Sequence, residues 1–233
     1  MSHPAFIISN QKIMNDHLVS YYKERANEYD KVYLNPPEQG DLRKATDFFQ
    51  TLFAQKTVLE LACGTGYWTE RIGETATAVH AIDINDRVLR IAEERRSRDN
   101  ISYSIADMYT IESNKKYDGL FGGFIWSHIL LQDLDNCIER WKGLLKPGGV
   151  IAFIDSVPVR GTHHDSGRIA STDEYGNTYQ TRILENGSEY AVLKNFPTKE
   201  FIQQKLSAIA DAISFIQLEY YWIVSGKLKA TGA

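Results

Sequence analysis

The stretch Val58-Leu59-Glu60-Leu61-Ala62-Cys63-Gly64-Thr65-Gly66-Tyr67-Trp68-Thr69 constrains this chain more than any other part of it. An apolar run of strand length leads into two glycines one residue apart, and a segment compatible with a helix follows. Gly64 and Gly66 lack a Cβ, so the backbone there can turn tightly and a ligand can approach it closely. A helix starting at such a turn aims its free N–H groups and the positive end of its dipole over it. In a parallel sheet this is where a nucleotide-like ligand sits.

Two cofactor classes compete for this turn. The dinucleotide fingerprint G-x-G-x-x-G/A fails, because the third position after Gly66 is Thr69, and a nicotinamide oxidoreductase is disfavoured. Acids stand in strand-end register instead: Glu60 before the glycines, Asp83 closing the apolar run from Ala78 to Ile82, and Asp107 after the run from Ile101 to Ile105. A carboxylate at Asp83 can accept both hydroxyl protons of a ribose. This block resembles the first motif of class I S-adenosylmethionine-dependent methyltransferases, E/D-x-x-x-G-x-G, with Ala62 as a small-residue variant of the family's first glycine. The resemblance covers the core from about residue 57 to 155. It implies S-adenosylmethionine as cofactor, with Gly64 and Gly66 facing its methionine part, Asp83 its ribose, and Asp107 with Met108 its adenine. Tyr22, Glu60, Ala62, Ile84 and Gly123 complete the implied cofactor set.

Periodicity supplies the rest of the fold. Residues 15–29 carry apolar positions at helical spacing, including Leu18, Tyr22, Ala26 and Tyr29, and Tyr22 and Tyr29 share a face. This segment is similar to the lid that precedes the core in many small-molecule methyltransferases. A second amphipathic helix over 41–54 leads into the first strand, Thr57 to Leu61. Strands at 78–82, 101–105, 117–126 and 150–154 then alternate with helices, one of them capped by Asn85 or Asp86. Such alternation predicts a parallel, doubly wound sheet. After residue 155 the pattern breaks into a polar loop and two β-rich runs around Asn186-Gly187, which predict a hairpin. A helix from Pro197 and two strands over 213–220 and 221–229 close the chain. The expected fold is α/β: a Rossmann-like doubly wound seven-stranded sheet with an antiparallel last strand, an N-terminal helical lid and an inserted β-hairpin. Residues 1–56 form the arm and lid, and 57–233 the methyltransferase domain with its insertion at about 156–196.

Composition narrows the partners. A net charge of −4 gives no electrostatic footprint for nucleic acid. The chain also lacks Asn/Asp-Pro-Pro-Tyr after the fourth strand, the motif linked with methylation of base or glutamine amino groups. No apolar run approaches the roughly 20 residues that cross a bilayer. Cys63 and Cys137 are not spaced as a disulfide framework, and residues 1–10 lack the pattern of a secretory signal, so a cytoplasmic chain is expected. A homodimer is left open.

The resemblance implies direct displacement at an activated methyl carbon, which needs alignment and exclusion of water more than a universal catalytic residue. A general base helps when the acceptor is a hydroxyl. His128, just past the fourth strand, is the first candidate; His163 and His164 in the inserted loop are others, and no metal is expected at that pair. Tyr22, Tyr29, Trp126 and Tyr175 are candidates for an aromatic substrate wall, with plain packing as the alternative. The expected function is methyl transfer to an oxygen or nitrogen of a small-molecule metabolite. A protein or RNA methyltransferase, or a non-catalytic relative that only binds the cofactor, are the rivals.

Overall fold

The structure, a computed structural model, describes residues 18–162 and 165–229. In chain order the elements are α1 (residues 18–25), α2 (Gln39–Phe53), β1 (Thr57–Leu61), α3 (Tyr67–Gly73), β2 (Ala78–Asp83), α4 (Asp86–Arg96), β3 (Ile101–Ile105), β4 (Tyr117–Gly123), α5 (Leu134–Lys142) and β5 (Leu145–Ser156). There follow β6 (Ile169–Thr172), β7 (Thr178–Ile183), β8 (Glu189–Leu193), α6 (Lys199–Ser207), β9 (Ala210–Gln217) and β10 (Tyr221–Leu228).

The main sheet has the order β3-β2-β1-β4-β5-β10-β9. Its first five strands pair in parallel, and β10 runs antiparallel to both neighbours. Successive strand residues point to opposite faces. Leu59, Leu61, Leu120, Ile151 and Phe153 therefore pack with α5 and α6, while Val58, Phe121, Ala152 and Ile154 pack with α2 and α3. Trp141 of α5 is fully buried on the first face, and its indole N–H is satisfied by the Met108 carbonyl at 2.9 Å. The strand order reverses between β1 and β4, so the helices that follow these two strands diverge and leave a crevice at their carboxyl ends.

Three local features differ from the sequence expectation. The predicted lid helix ends at residue 25; a turn and a 3-10 segment, Tyr29–Leu34, carry the chain onward. The fifth strand starts at Leu145 rather than Val150, because Lys146-Pro147-Gly148-Gly149 is absorbed as a register shift in the β4–β5 ladder instead of ending it. The insertion is a three-stranded sheet, β6-β7-β8, not a lone hairpin. The Asn186-Gly187 turn joins β7 to β8 as expected, with Gly187 at φ 84°. The four-residue β6 is mostly exposed and lacks alternation, so only its edge pairing with β7 defines it.

Both additions close over the crevice. Tyr21 of α1 packs with Leu184 and with Val192 of β8, so the N-terminal helix and the inserted sheet meet. Ala26 packs against Val88 and Ile91 of α4. Asp30 anchors the following segment to the glycine turn: it accepts from the Thr65 hydroxyl at 2.5 Å and from the Arg96 guanidinium at 2.8 Å.

Candidate active site

The crevice is a cleft of about 860 Å³ above the ends of β1, β2 and β4. Asp83 closes β2 and organises one side of it. One carboxylate oxygen accepts from the Gly64 N–H and the other from the Asn85 N–H, each at 2.9 Å. Burial pushes this carboxyl up to about 6, against the backbone N–H groups of Asn85, Gly64 and Ile84 that favour its ionised form. The Asn85 side chain in turn caps α4 by accepting from the Arg87 N–H. Ile84, 46% exposed, lines the cleft between them. Asp107 lines it beyond β3 while one of its oxygens accepts from the Tyr109 N–H at 2.8 Å; Met108 lies alongside.

The turn itself divides its residues. Ala62 and Gly64 line the cleft, and both have left-handed backbone, φ 46° and 57°. Ala62 thus holds without glycine a conformation that costs an L-residue roughly 1–2 kcal/mol. Phe124, at φ 59°, is a second such residue on the cleft wall. Four expected site residues, Gly66, Glu60, Trp126 and Tyr175, lie elsewhere. Gly66 faces α4: a Cβ there would stand 3.0 Å from the Tyr103 hydroxyl and 3.1 Å from Ala92. Glu60 is buried beneath the turn, where desolvation pushes its carboxyl up to about 8; the Thr69 hydroxyl lowers it and the Asp83 charge adds to the rise. Trp126, 2% exposed, packs edge-on against Phe153 and Trp222, so it belongs to the core rather than to a substrate wall. The cause is the 3-10 turn Trp126–His128, which folds the indole back under the sheet. Gly123 does line the cleft, but the space left by its missing side chain is filled from behind: a Cβ would lie 2.6 Å from Trp68. Tyr175 is half exposed and outside the cleft. His163 and His164 lie outside the described residues.

The same 3-10 turn that buries Trp126 delivers His128 to the cleft. Its Nδ1 lies 2.6 Å from the Leu193 carbonyl, which can only accept, so Nδ1 carries the proton and Nε2 the free lone pair. The Tyr22 hydroxyl donates to that Nε2 at 2.9 Å. Burial and then the Lys194 charge lower His128 to about 3, with Asp155 opposing, so the imidazole is neutral. Tyr29 stands edge-on to Tyr22, with ring centroids 5.7 Å apart; the shared face expected of one helix is achieved across a turn instead.

A second cavity, of about 570 Å³, adjoins the first and shares Tyr22, Tyr29, Phe124 and His128 with it. Its far wall holds residues that the sequence reading did not single out: Arg25, Tyr33, Arg182, Lys194 and Tyr221. Lys194, 3% exposed, donates to Asp155 at 3.0 Å and to the Ser127 hydroxyl at 2.8 Å. Asp155, at the end of β5, also accepts from the Ser127 and Ser156 N–H groups. Its position at a strand end, at the break in periodicity, was the one available signal. Arg182 and Lys194 are separate positions on or beside a hairpin, and no spacing rule links them.

Fold and cleft together define a doubly wound α/β protein with an open cleft at the topological switch point. Residues 58–149 match the family model described as a methyltransferase domain. The chain is 26% identical over 137 residues to malonyl-[acyl-carrier protein] O-methyltransferase 2 of Ilyobacter polytropus, covering 57% of this chain and 51% of that protein. It is 33% identical over 101 residues to an uncharacterised methyltransferase of Mycobacterium tuberculosis, 43% of this chain and 50% of the other. The chain thus spans about half the length of these curated relatives. A solved structure described as the DhpI–SAH complex shares the fold over 93% of this chain and 97% of its own, with TM-score 0.77 and 22% identity. The core of this chain is thus similar to methyltransferase domains, and the cofactor this implies is S-adenosylmethionine. The residues present fit that group. An acidic side chain at the end of β2 faces a cleft whose remaining walls are mainly apolar, and the left-handed turn at Ala62 and Gly64 brings backbone to its edge.

Proposed function

We infer that this protein transfers a methyl group from S-adenosylmethionine to an oxygen or nitrogen of a small molecule held in the second cavity. The observation that carries the reading is His128: it lies where the two cavities meet, with Nε2 fixed as a proton acceptor. Asp83 would take the ribose hydroxyls, Asp107 and Met108 the adenine, and Ala62 and Gly64 the methionine part. When bound, S-adenosylmethionine supplies a methyl carbon on a positive sulfur, which keeps the electron pair of the breaking bond and leaves as S-adenosylhomocysteine. Tyr22 and Tyr29, from the N-terminal segment, cover the meeting point and exclude water from it. For a hydroxyl acceptor, the oxygen lone pair forms the new bond to carbon and its proton passes to His128 Nε2, directly or through the Tyr22 hydroxyl.

Calorimetric titration with S-adenosylmethionine, S-adenosylhomocysteine and NAD tests the cofactor assignment. Micromolar binding of the first two and none of NAD is expected. Absence of binding to either adenosyl compound would overturn the reading. A screen of small hydroxyl and amine compounds for a methyl mass gain then tests the acceptor class.

A further inference from the structure

The wall of the second cavity carries an unbalanced charge. Arg25, Arg182 and Lys194 line it, and no carboxylate does among the described residues. Lys194 is neutralised by Asp155. The two arginines are not neutralised. Arg25 donates from Nη1 to the Tyr21 hydroxyl at 3.0 Å and lies 5.7 and 5.8 Å from the Tyr21 and Tyr29 ring centroids. Arg182 donates from Nη2 to the Gln180 side-chain oxygen at 2.6 Å. Neither has an acidic partner within 4.0 Å among the described residues, although both are half-buried.

Charges withdrawn from water are costly unless paired, and two of like sign on one wall repel each other. Desolvation lowers Arg182, and the charges of Arg168 and Arg25 add to that. The Tyr21 hydroxyl and the Tyr21 and Tyr29 rings offset part of this cost at Arg25, and the Gln180 side chain part of it at Arg182, but no anion faces either guanidinium among the described residues. A guanidinium presents a planar fork of donors that matches a carboxylate or phosphoryl group, and it keeps its charge at every physiological pH. The placement is also specific: Arg25 comes from the N-terminal helix and Arg182 from β7 of the inserted sheet, the two additions that close over the site. Tyr22 and His128 line the same cavity, so an anion held by the arginines keeps the rest of its molecule beside the transfer point.

We propose that Arg25 and Arg182 form an oxyanion subsite, so that the methyl acceptor is a small molecule bearing a carboxylate or phosphoryl group. This rests on the methyltransferase reading above and names its substrate class.

The test is calorimetric titration of the full chain with inorganic phosphate and, separately, acetate, at constant ionic strength, with and without saturating S-adenosylhomocysteine. Millimolar or tighter binding of at least one anion is expected, and the preferred one distinguishes phosphoryl from carboxylate acceptors. Arg25→Gln and Arg182→Gln should each weaken it tenfold or more, and Arg182→Lys by less, with S-adenosylhomocysteine affinity unchanged in all three as the check on folding. No binding of either anion, or binding that both glutamine variants retain, overturns the subsite. Loss of S-adenosylhomocysteine binding in the unaltered chain would instead sink the cofactor reading, and the titrations without it would still report on the arginines.

Discussion

The Tyr22 hydroxyl meets His128 Nε2 at 2.9 Å across a separation of 106 residues. The contact ties the N-terminal helix to the loop after β4, and the Leu193 carbonyl on the other ring nitrogen decides which partner donates. A histidine oriented in this way holds its lone pair toward the cavity in the neutral form.

His128→Ala should lower turnover while leaving S-adenosylhomocysteine affinity within about twofold; burial and Lys194 hold the imidazole at about 3, so the loss should fall toward or below the lower end of the roughly 100- to 10,000-fold range of a base matched to neutral pH. Tyr22→Phe, which removes the donor and keeps the ring, should cost less. Steady-state rates beside calorimetry make the comparison, and an unchanged rate in His128→Ala would return the residue to a structural role.

Asp83→Ala should weaken S-adenosylmethionine binding by about 1.5–3 kcal/mol, the value of a hydrogen bond to a charged group, or roughly 10- to 150-fold. The same change frees the Gly64 and Asn85 N–H groups, so melting temperature should be recorded with affinity. Equal affinity in the variant would remove Asp83 from the site.

Glu60 predicts a pH dependence. Its carboxyl is raised to about 8 in the fold from an ordinary value of 4.5. Between those values the folded chain holds a proton that the unfolded chain has lost, so this group's contribution to stability falls as pH rises through the window. Glu60→Gln should flatten that part of the profile. Urea denaturation at pH 5, 6, 7 and 8 reads the slope, and an identical slope in the variant would refute the assignment.

Trp126→Phe should leave both ligand affinities unchanged and cost about 1–3 kcal/mol of stability, the usual range for a volume loss in the core. Its indole nitrogen has no hydrogen-bond partner among the described residues, so no polar contact is lost. Denaturation midpoints paired with substrate KM would show it; a raised KM at unchanged stability would place the ring in the pocket after all.

Lys194→Met leaves Asp155 buried without its cation. The expected cost is about 3–5 kcal/mol, as for other buried pairs broken on one side. A denaturant midpoint close to that of the unaltered chain would mean that the Ser127 and Ser156 N–H groups suffice to hold the carboxylate.

The sequence by itself determined the strand–helix alternation, the turn at Gly64 and the place of Asp83, because each depends on residues close in the chain. Apolar period, a missing Cβ and an acid at a strand end are local signals, and β1 and β3 fall at their expected bounds. Tertiary structure decided what no local pattern encodes. It turned Trp126 into the core and His128 into the cleft within one 3-10 turn, and it put Glu60 under the glycines instead of beside a ligand. It also brought Arg25, Arg182 and Lys194 from a helix, a strand and a strand end to one wall. The physical reason is that a binding site is an intersection of distant segments, whose side-chain directions are set by packing against one another and not by their neighbours in sequence.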